Sequence, residues 1–147
     1  MNLNELQDEW DKDSDFSFNR AYIKEEIRNI WRLHAKYQRF LNQEKTNMSI
    51  ISHALKKMQK EKYEFYVMPA KNGVLTKEQQ KELPQGKIYR GDADKYIQAD
   101  KEMLETSLRY DATKIKVEFL QSIMSQISHS QYYFSNVLAQ LKHEDGS

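Results

Sequence analysis

Hydrophobic positions along this chain recur mostly at helical spacing. Leu3, Leu6 and Trp10 stand at i, i+3 and i+7, one stripe of a short helix over about residues 2–12, with Asn2 or Asn4 as its cap. From Asp11 to Asn19 the pattern stops, and Asp13, Ser14, Asp15 and Ser17 compete for the backbone instead. Asn19 then caps a second helix predicted to reach about Asn42. Its stripe is Ile23, Ile27, Ile30 or Trp31, His34, Tyr37 and Leu41. A further cap candidate, Asn47, opens a helix to about Lys62 that turns Ile50, Ile51, Ala54, Leu55 and Met58 inward. Gln43 to Thr46 is either a turn between antiparallel helices or a bend in one long helix, and periodicity does not choose between them.

Residues 67–91 break the helical pattern. Pro69, Gly73, Pro84, Gly86 and Gly91 are five of the chain's six glycines and prolines, which marks a loop region. Tyr63 to Met68 before it and Lys87-Ile88-Tyr89 after it are candidates for a small β-ribbon, so the expectation for 63–91 is a ribbon or a loop insertion. Thr76 to Leu83, with Thr76 and Gln79 at capping-box spacing, is a candidate short helix inside it.

Between Asp92 and Glu144 there is neither glycine nor proline. One long C-terminal helix is expected, or two with a bend near Thr106-Ser107 or Ser128. Leu108, Ala112, Ile115, Phe119, Ile123, Ile127, Phe134, Leu138 and Leu141 follow one face; Val117, Leu120, Met124, Tyr133 and Val137 form a second apolar set. A helix apolar on more than one side needs more than one neighbour. So small a chain supplies few, and self-association through the face from Leu108 to Leu138 is the economical expectation, with the ordinary central helix of a monomeric bundle as the competing reading. The fold class is mainly α, organised as an N-terminal helical region with its insertion over 1–91 and a C-terminal oligomerisation region over 92–147.

Composition narrows the function. With 39% hydrophobic and 31% charged residues and a mean hydropathy of −0.90, the chain affords a modest core beneath large solvated faces. The absence of cysteine excludes disulfide frameworks, thiolate metal sites and cysteine nucleophiles. His34, His53, His129 and His143 form no H-x-x-x-H pair, and no phosphate-binding or nucleophile-elbow motif occurs, so neither metal, cofactor nor enzymatic activity is expected. No apolar run is long enough for a membrane span, and the first residues lack the basic and apolar regions of a signal peptide, so a cytoplasmic protein is expected.

The net charge of +1 conceals an uneven distribution. Residues 5–15 hold six carboxylates against Lys12, a net of −5, whereas residues 56–62 hold four lysines against Glu61, a net of +3. In that second segment Lys56, Lys57, Lys60 and Lys62 adjoin Tyr63, Phe65 and Tyr66. Cations that track phosphates beside rings that stack bases are the pairing used for single-stranded nucleic acid; a solvated lysine face above core aromatics is the competing reading. Geometry adds a condition. Lys56 and Lys60 share a helical face, but Lys62 lies roughly 200° from Lys60 on a helix, and only an extended chain would align Lys60 with Lys62.

These blocks together resemble the UvsY family, recombination mediators of T-even-type bacteriophages. The likeness runs through Leu3-Asn4-Glu5-Leu6-Gln7-Asp8-Glu9, Tyr37-Gln38-Arg39-Phe40-Leu41-Asn42, Lys60-Glu61-Lys62-Tyr63-Glu64-Phe65-Tyr66 and Ala99-Asp100-Lys101-Glu102-Met103-Leu104. The resemblance implies a non-catalytic protein of the infected host's cytoplasm that binds single-stranded DNA. It implies a ring-like homo-oligomer of hexamer or heptamer type, held by the C-terminal helix. Its implied role is to help a phage RecA-like recombinase replace the single-stranded-DNA-binding protein. A family pair of basic residues tied to DNA binding falls here on Lys60 and Lys62; the second is lysine, a point charge without the arginine fork. A protein-only oligomeric scaffold or adaptor is the alternative from another class.

Overall fold

The structure, a computed structural model, describes residues 1–67 and 90–146. Four α-helices carry them: α1 (Leu3–Asp13), α2 (Ile23–Val67), α3 (Arg90–Ala99) and α4 (Lys101–Gly146), with one 3-10 turn at Arg20–Tyr22 before α2. The described residues include no strand.

Local side chains set several of the helix starts. Asn2 caps α1 through a reciprocal box: its Oδ1 accepts the Glu5 amide at 2.8 Å while Glu5 Oε2 accepts the Asn2 amide at 2.9 Å. Asn19 Oδ1 accepts the Ala21 amide at 3.0 Å and so starts the 3-10 turn that feeds α2. Asn47, by contrast, caps nothing. The helix runs unbroken through 43–46, and the Thr46 hydroxyl donates back to the Asn42 carbonyl at 2.9 Å, so the local polar side chains serve the helix instead of ending it.

Two compact units divide the chain: Met1–Thr46 with Thr113–Ser147, and Asn47–Ala112. In the first, α1, the first half of α2 and most of α4 bury Leu6, Trp10, Ile23, Ile30, Leu33, Tyr37, Leu41, Val117, Leu120, Ile123, Ile127 and Phe134. Trp10 meets Tyr37 edge-on at 5.1 Å, and its indole N–H donates to Gln126 Oε1 at 3.3 Å. Lys36 joins Glu9 and Asp13 of α1, and the Tyr37 hydroxyl donates to Asp13 Oδ2 at 2.8 Å. Glu44 pairs with Lys116 at 3.1 Å. Burial alone would lower the Lys36 pKa, but the two carboxylates outweigh it and hold the ammonium above its usual range.

The choice on the α2 stripe falls to Ile30, which is fully buried, while Trp31 is 61% exposed. The buried line of α4 takes Val117 and Leu120 from one expected apolar set and Ile123, Ile127 and Phe134 from the other. Leu120, Ile127 and Phe134 are spaced by sevens, and a seven-residue repeat drifts about 20° per heptad around an α-helix, so the covered line crosses from set to set.

The second unit holds the later half of α2, α3 and the first turns of α4. Tyr66 and Ile97 are its buried pair, with Tyr63, Phe65 and Met103 packed against them. Three expectations change here. The proposed first ribbon strand, from Tyr63, is the last part of α2, because burying Tyr66 against α3 outweighs the β-propensity of adjacent aromatics. Its second strand at Lys87-Ile88-Tyr89, and the short helix at 76–83, lie outside the described residues. The long C-terminal stretch breaks at Asp100 and not at Thr106-Ser107 or Ser128, since Asp100 Oδ1 accepts the Glu102 and Met103 amides at 3.0 and 3.3 Å and starts α4. Of the residues expected inward after Asn47, Ile51, Leu55 and Met58 are half-buried, whereas Ile50 and Ala54 are exposed.

Candidate nucleic-acid interface

The lysine segment sits on the last turns of α2. Lys56 and Lys60, four apart, share one exposed helical line, and neither has an ion pair among the described residues. Lys57 is exposed too; its Nζ is 4.0 Å from Glu61, an open contact worth little in water. These three ammonium groups are available to an anion.

Lys62 is differently placed. Its side chain is 21% exposed, with Nζ 3.3 Å from Asp100 Oδ2 and 3.2 Å from Glu102 Oε2. Asp100 Oδ2 also accepts the Tyr66 hydroxyl at 2.9 Å. Burial would pull the Lys62 pKa down, but hydrogen bonds to Glu102 and Asp100 hold it above the usual lysine value. Burial would likewise raise Asp100, yet the Tyr66 hydroxyl, the Met103 amide and the Lys62 ammonium keep it below the usual carboxylate value. Both shifts favour the charged pair. Lys62 therefore spends its charge inside the unit.

The rings are also engaged. Tyr66 is 5% exposed, meets Phe65 edge-on at 5.1 Å and lies 5.9 Å from the ring of Tyr96. Tyr63 and Phe65 are half-buried, and Lys62 Nζ is 5.9 Å from the Phe65 ring centre. Beside this cluster opens a cleft of about 400 Å³ lined by Lys62, Tyr66, Tyr96, Asp100, Lys101 and Glu102. Reasoning from sequence missed Asp100, Glu102 and Tyr96. An aspartate directly ahead of a helical run is the signal that finds the first of them.

The expected oligomerisation residues separate into two groups. Ile123, Ile127 and Phe134 are fully buried in the first unit, with Phe119 and Leu138 half-buried, while Leu108, Ala112 and Ile115 are exposed. Among the described residues no cluster of histidine and carboxylate side chains is arranged to hold a metal ion, and no helix is long and apolar enough to cross a membrane.

A family model described as "Recombination, repair and ssDNA binding protein UvsY" matches residues 9–147. Among solved structures, the chain is similar to the crystal structure of the bacteriophage T4 recombination mediator protein UvsY, at a TM-score of 0.77 and 17% identity over 99% of this chain and 98% of that one. At that identity the likeness speaks for the fold. No curated protein sequence matches the chain.

Proposed function

This chain belongs to the UvsY family of recombination, repair and ssDNA-binding proteins, and on that footing we propose that it is a non-catalytic recombination mediator. It binds single-stranded DNA, and it helps a RecA-like recombinase take the place of the single-stranded-DNA-binding protein during presynaptic filament assembly in the infected host's cytoplasm. The observation that carries the reading is the exposed row Lys56, Lys57 and Lys60, three ammonium groups on one short stretch of α2 of which two have no partner among the described residues.

In this mechanism Lys56, Lys57 and Lys60 contact phosphates directly, while Lys62 acts from behind. Its bonds to Asp100 and Glu102 tie the end of α2 to the start of α4 and so hold Lys60 on a rigid support. Tyr66 braces the same junction, and Tyr63 and Phe65 keep partly open edges for a base. A few phosphate contacts give one protomer little affinity at physiological salt. Self-association into a hexamer or heptamer multiplies them through effective concentration. Each unit leaves apolar side chains of α4 exposed for that purpose, Leu108 in one and Ile115 in the other. Backbone contacts carry no base sequence, so binding is nearly sequence-independent.

The test is binding of a fluorescent single-stranded oligonucleotide across a salt series, wild type beside Lys56→Ala with Lys60→Ala. Strong salt dependence is expected, with the slope of log K against log salt shallower by about 1.4 in the double variant, at ~0.7 per phosphate contact on single strands. No binding even at low salt overturns the mediator reading in favour of a protein-only scaffold.

A further inference from the structure

From Ile27 to Gln43 the sequence contains no acidic residue, yet it carries Arg28, Arg32, Lys36 and Arg39. Lys36 is consumed by Glu9 and Asp13. The three arginines are exposed and make no ion pair among the described residues. At 100° per residue Lys24, Arg28, Ala35, Arg39 and Asn42 fall within about 60° of one another on α2, with Trp31 at one flank and Arg32 at the other. All of these side chains are exposed, and Glu25, at the edge of the strip, is the exposed acid nearest to it on the helix.

Trp31 decides what such a strip holds. The residue is 61% exposed at one flank of the strip, one turn after Arg28, and the next residue on its line is the small Ala35. From Arg28 to Arg39 is about 16 Å along the axis, room for a few nucleotides of an extended strand. Guanidinium groups grip phosphate oxygens with a planar fork, and an exposed indole beside them offers a stacking surface that an unpaired base can use and a duplex base cannot.

We infer that Lys24, Arg28, Trp31, Arg32 and Arg39 form a second strand-binding surface, occupied by single-stranded polynucleotide and separate from the lysine row. The inference rests on the reading that the chain binds single-stranded DNA. Phosphates lie on Arg28, Arg32 and Arg39, and one base stacks on Trp31. The strip was invisible to hydrophobic periodicity, which assigned Trp31 to the apolar stripe as an alternative to Ile30.

The full chain is titrated with an oligothymidylate while indole emission is followed, excited where tyrosine does not absorb. The other tryptophan, Trp10, is buried, so quenching reports Trp31. Quenching that saturates with strand binding is expected, and it vanishes in Trp31→Phe. Trp31→Ala is expected to bind about tenfold more weakly, the lower part of the range for losing a stacked base. Arg28→Ala with Arg32→Ala is expected to flatten the salt slope by about 1.4. If emission does not change and both variants bind with wild-type affinity and slope, while Lys56→Ala with Lys60→Ala still weakens binding, the second surface is overturned and the DNA-binding function stands. If wild type binds no strand at low salt, both readings fall. Equal quenching by duplex DNA or by polyglutamate overturns the inference in favour of a general anion surface or an acidic protein partner.

Discussion

The Tyr66 hydroxyl and the Lys62 ammonium converge on one oxygen, Asp100 Oδ2, at 2.9 and 3.3 Å. The other oxygen of that carboxylate caps α4. A lysine and a tyrosine drawn from a segment that reads as DNA-contacting are thereby joined to the start of another helix.

Replacing Asp100 separates these roles. Asp100→Ala removes cap, ion pair and tyrosine acceptor together and is expected to cost about 2–4 kcal/mol, several hydrogen bonds of which some are charge-assisted. Asp100→Asn keeps an acceptor for the amides and is expected to cost less than half as much. Chemical denaturation of the two variants beside wild type checks the order.

Acidity should reach the same junction. The depressed Asp100 carboxyl contributes stability above its unfolded pKa, and that contribution is lost as pH falls through the lower folded value. The raised Lys62 contributes below its unfolded pKa and is lost as pH climbs through the higher folded one. Stability from this pair is therefore expected to be level from about pH 5 to 9 and to fall beyond about pH 4 on one side and 10.5 on the other. Asp100→Asn should flatten the acid limb in a denaturation series against pH.

Lys60 and Lys62 are expected to respond oppositely to alanine. Lys60→Ala should leave stability within about 0.5 kcal/mol and reduce the salt slope of strand binding by about 0.7. Lys62→Ala should leave two carboxylates facing each other without their cation and cost about 1–3 kcal/mol, with the slope unchanged at a temperature where the variant is folded. Calorimetry paired with oligonucleotide titration reads both.

A glutamate at Ile123 is expected to unfold the first unit, because the side chain is 0% exposed and a charge there has no partner. Leu108→Glu, at a position 66% exposed, should leave the helical content and melting temperature unchanged and reduce self-association in sedimentation. Unaltered assembly of Leu108→Glu would remove that side chain from the subunit contact.

In the first unit, Tyr37→Phe keeps the fully buried ring and deletes one bond to Asp13. A loss of about 1 kcal/mol is expected in denaturant melts.

Much of the helical plan was legible because it rests on local chemistry. Asn2 and Asn19 act where their sequence context places them, and the gap at 14–19 follows from a run of short polar side chains. What misled were residues whose local preference is overruled from a distance. Tyr63, Phe65 and Tyr66 read as strand formers, but their rings are packed beside α3, which sequence spacing does not show. Asn47 has the composition of a cap inside a helix whose flanks are both strong formers, so the nucleated helix continues. Of the candidate site, the exposed lysines were legible from charge density alone. The withdrawal of Lys62 was not, since Asp100 lies 38 positions away in the sequence. The guanidinium strip escaped because hydrophobic periodicity marks the buried side of a helix and carries no signal for its solvent side.

The winding buried line of α4 bears on how this protein tolerates change. A straight stripe would make every third or fourth position intolerant along one fixed side. Here the sensitive side turns as the helix proceeds, from Val117 and Leu120 toward Ile127 and Phe134. A saturation scan should show a spiral of constrained positions, and Val117 and Ser128, eleven residues apart and nearly aligned on an ideal helix, should differ in what they accept, since the first is buried and the second exposed.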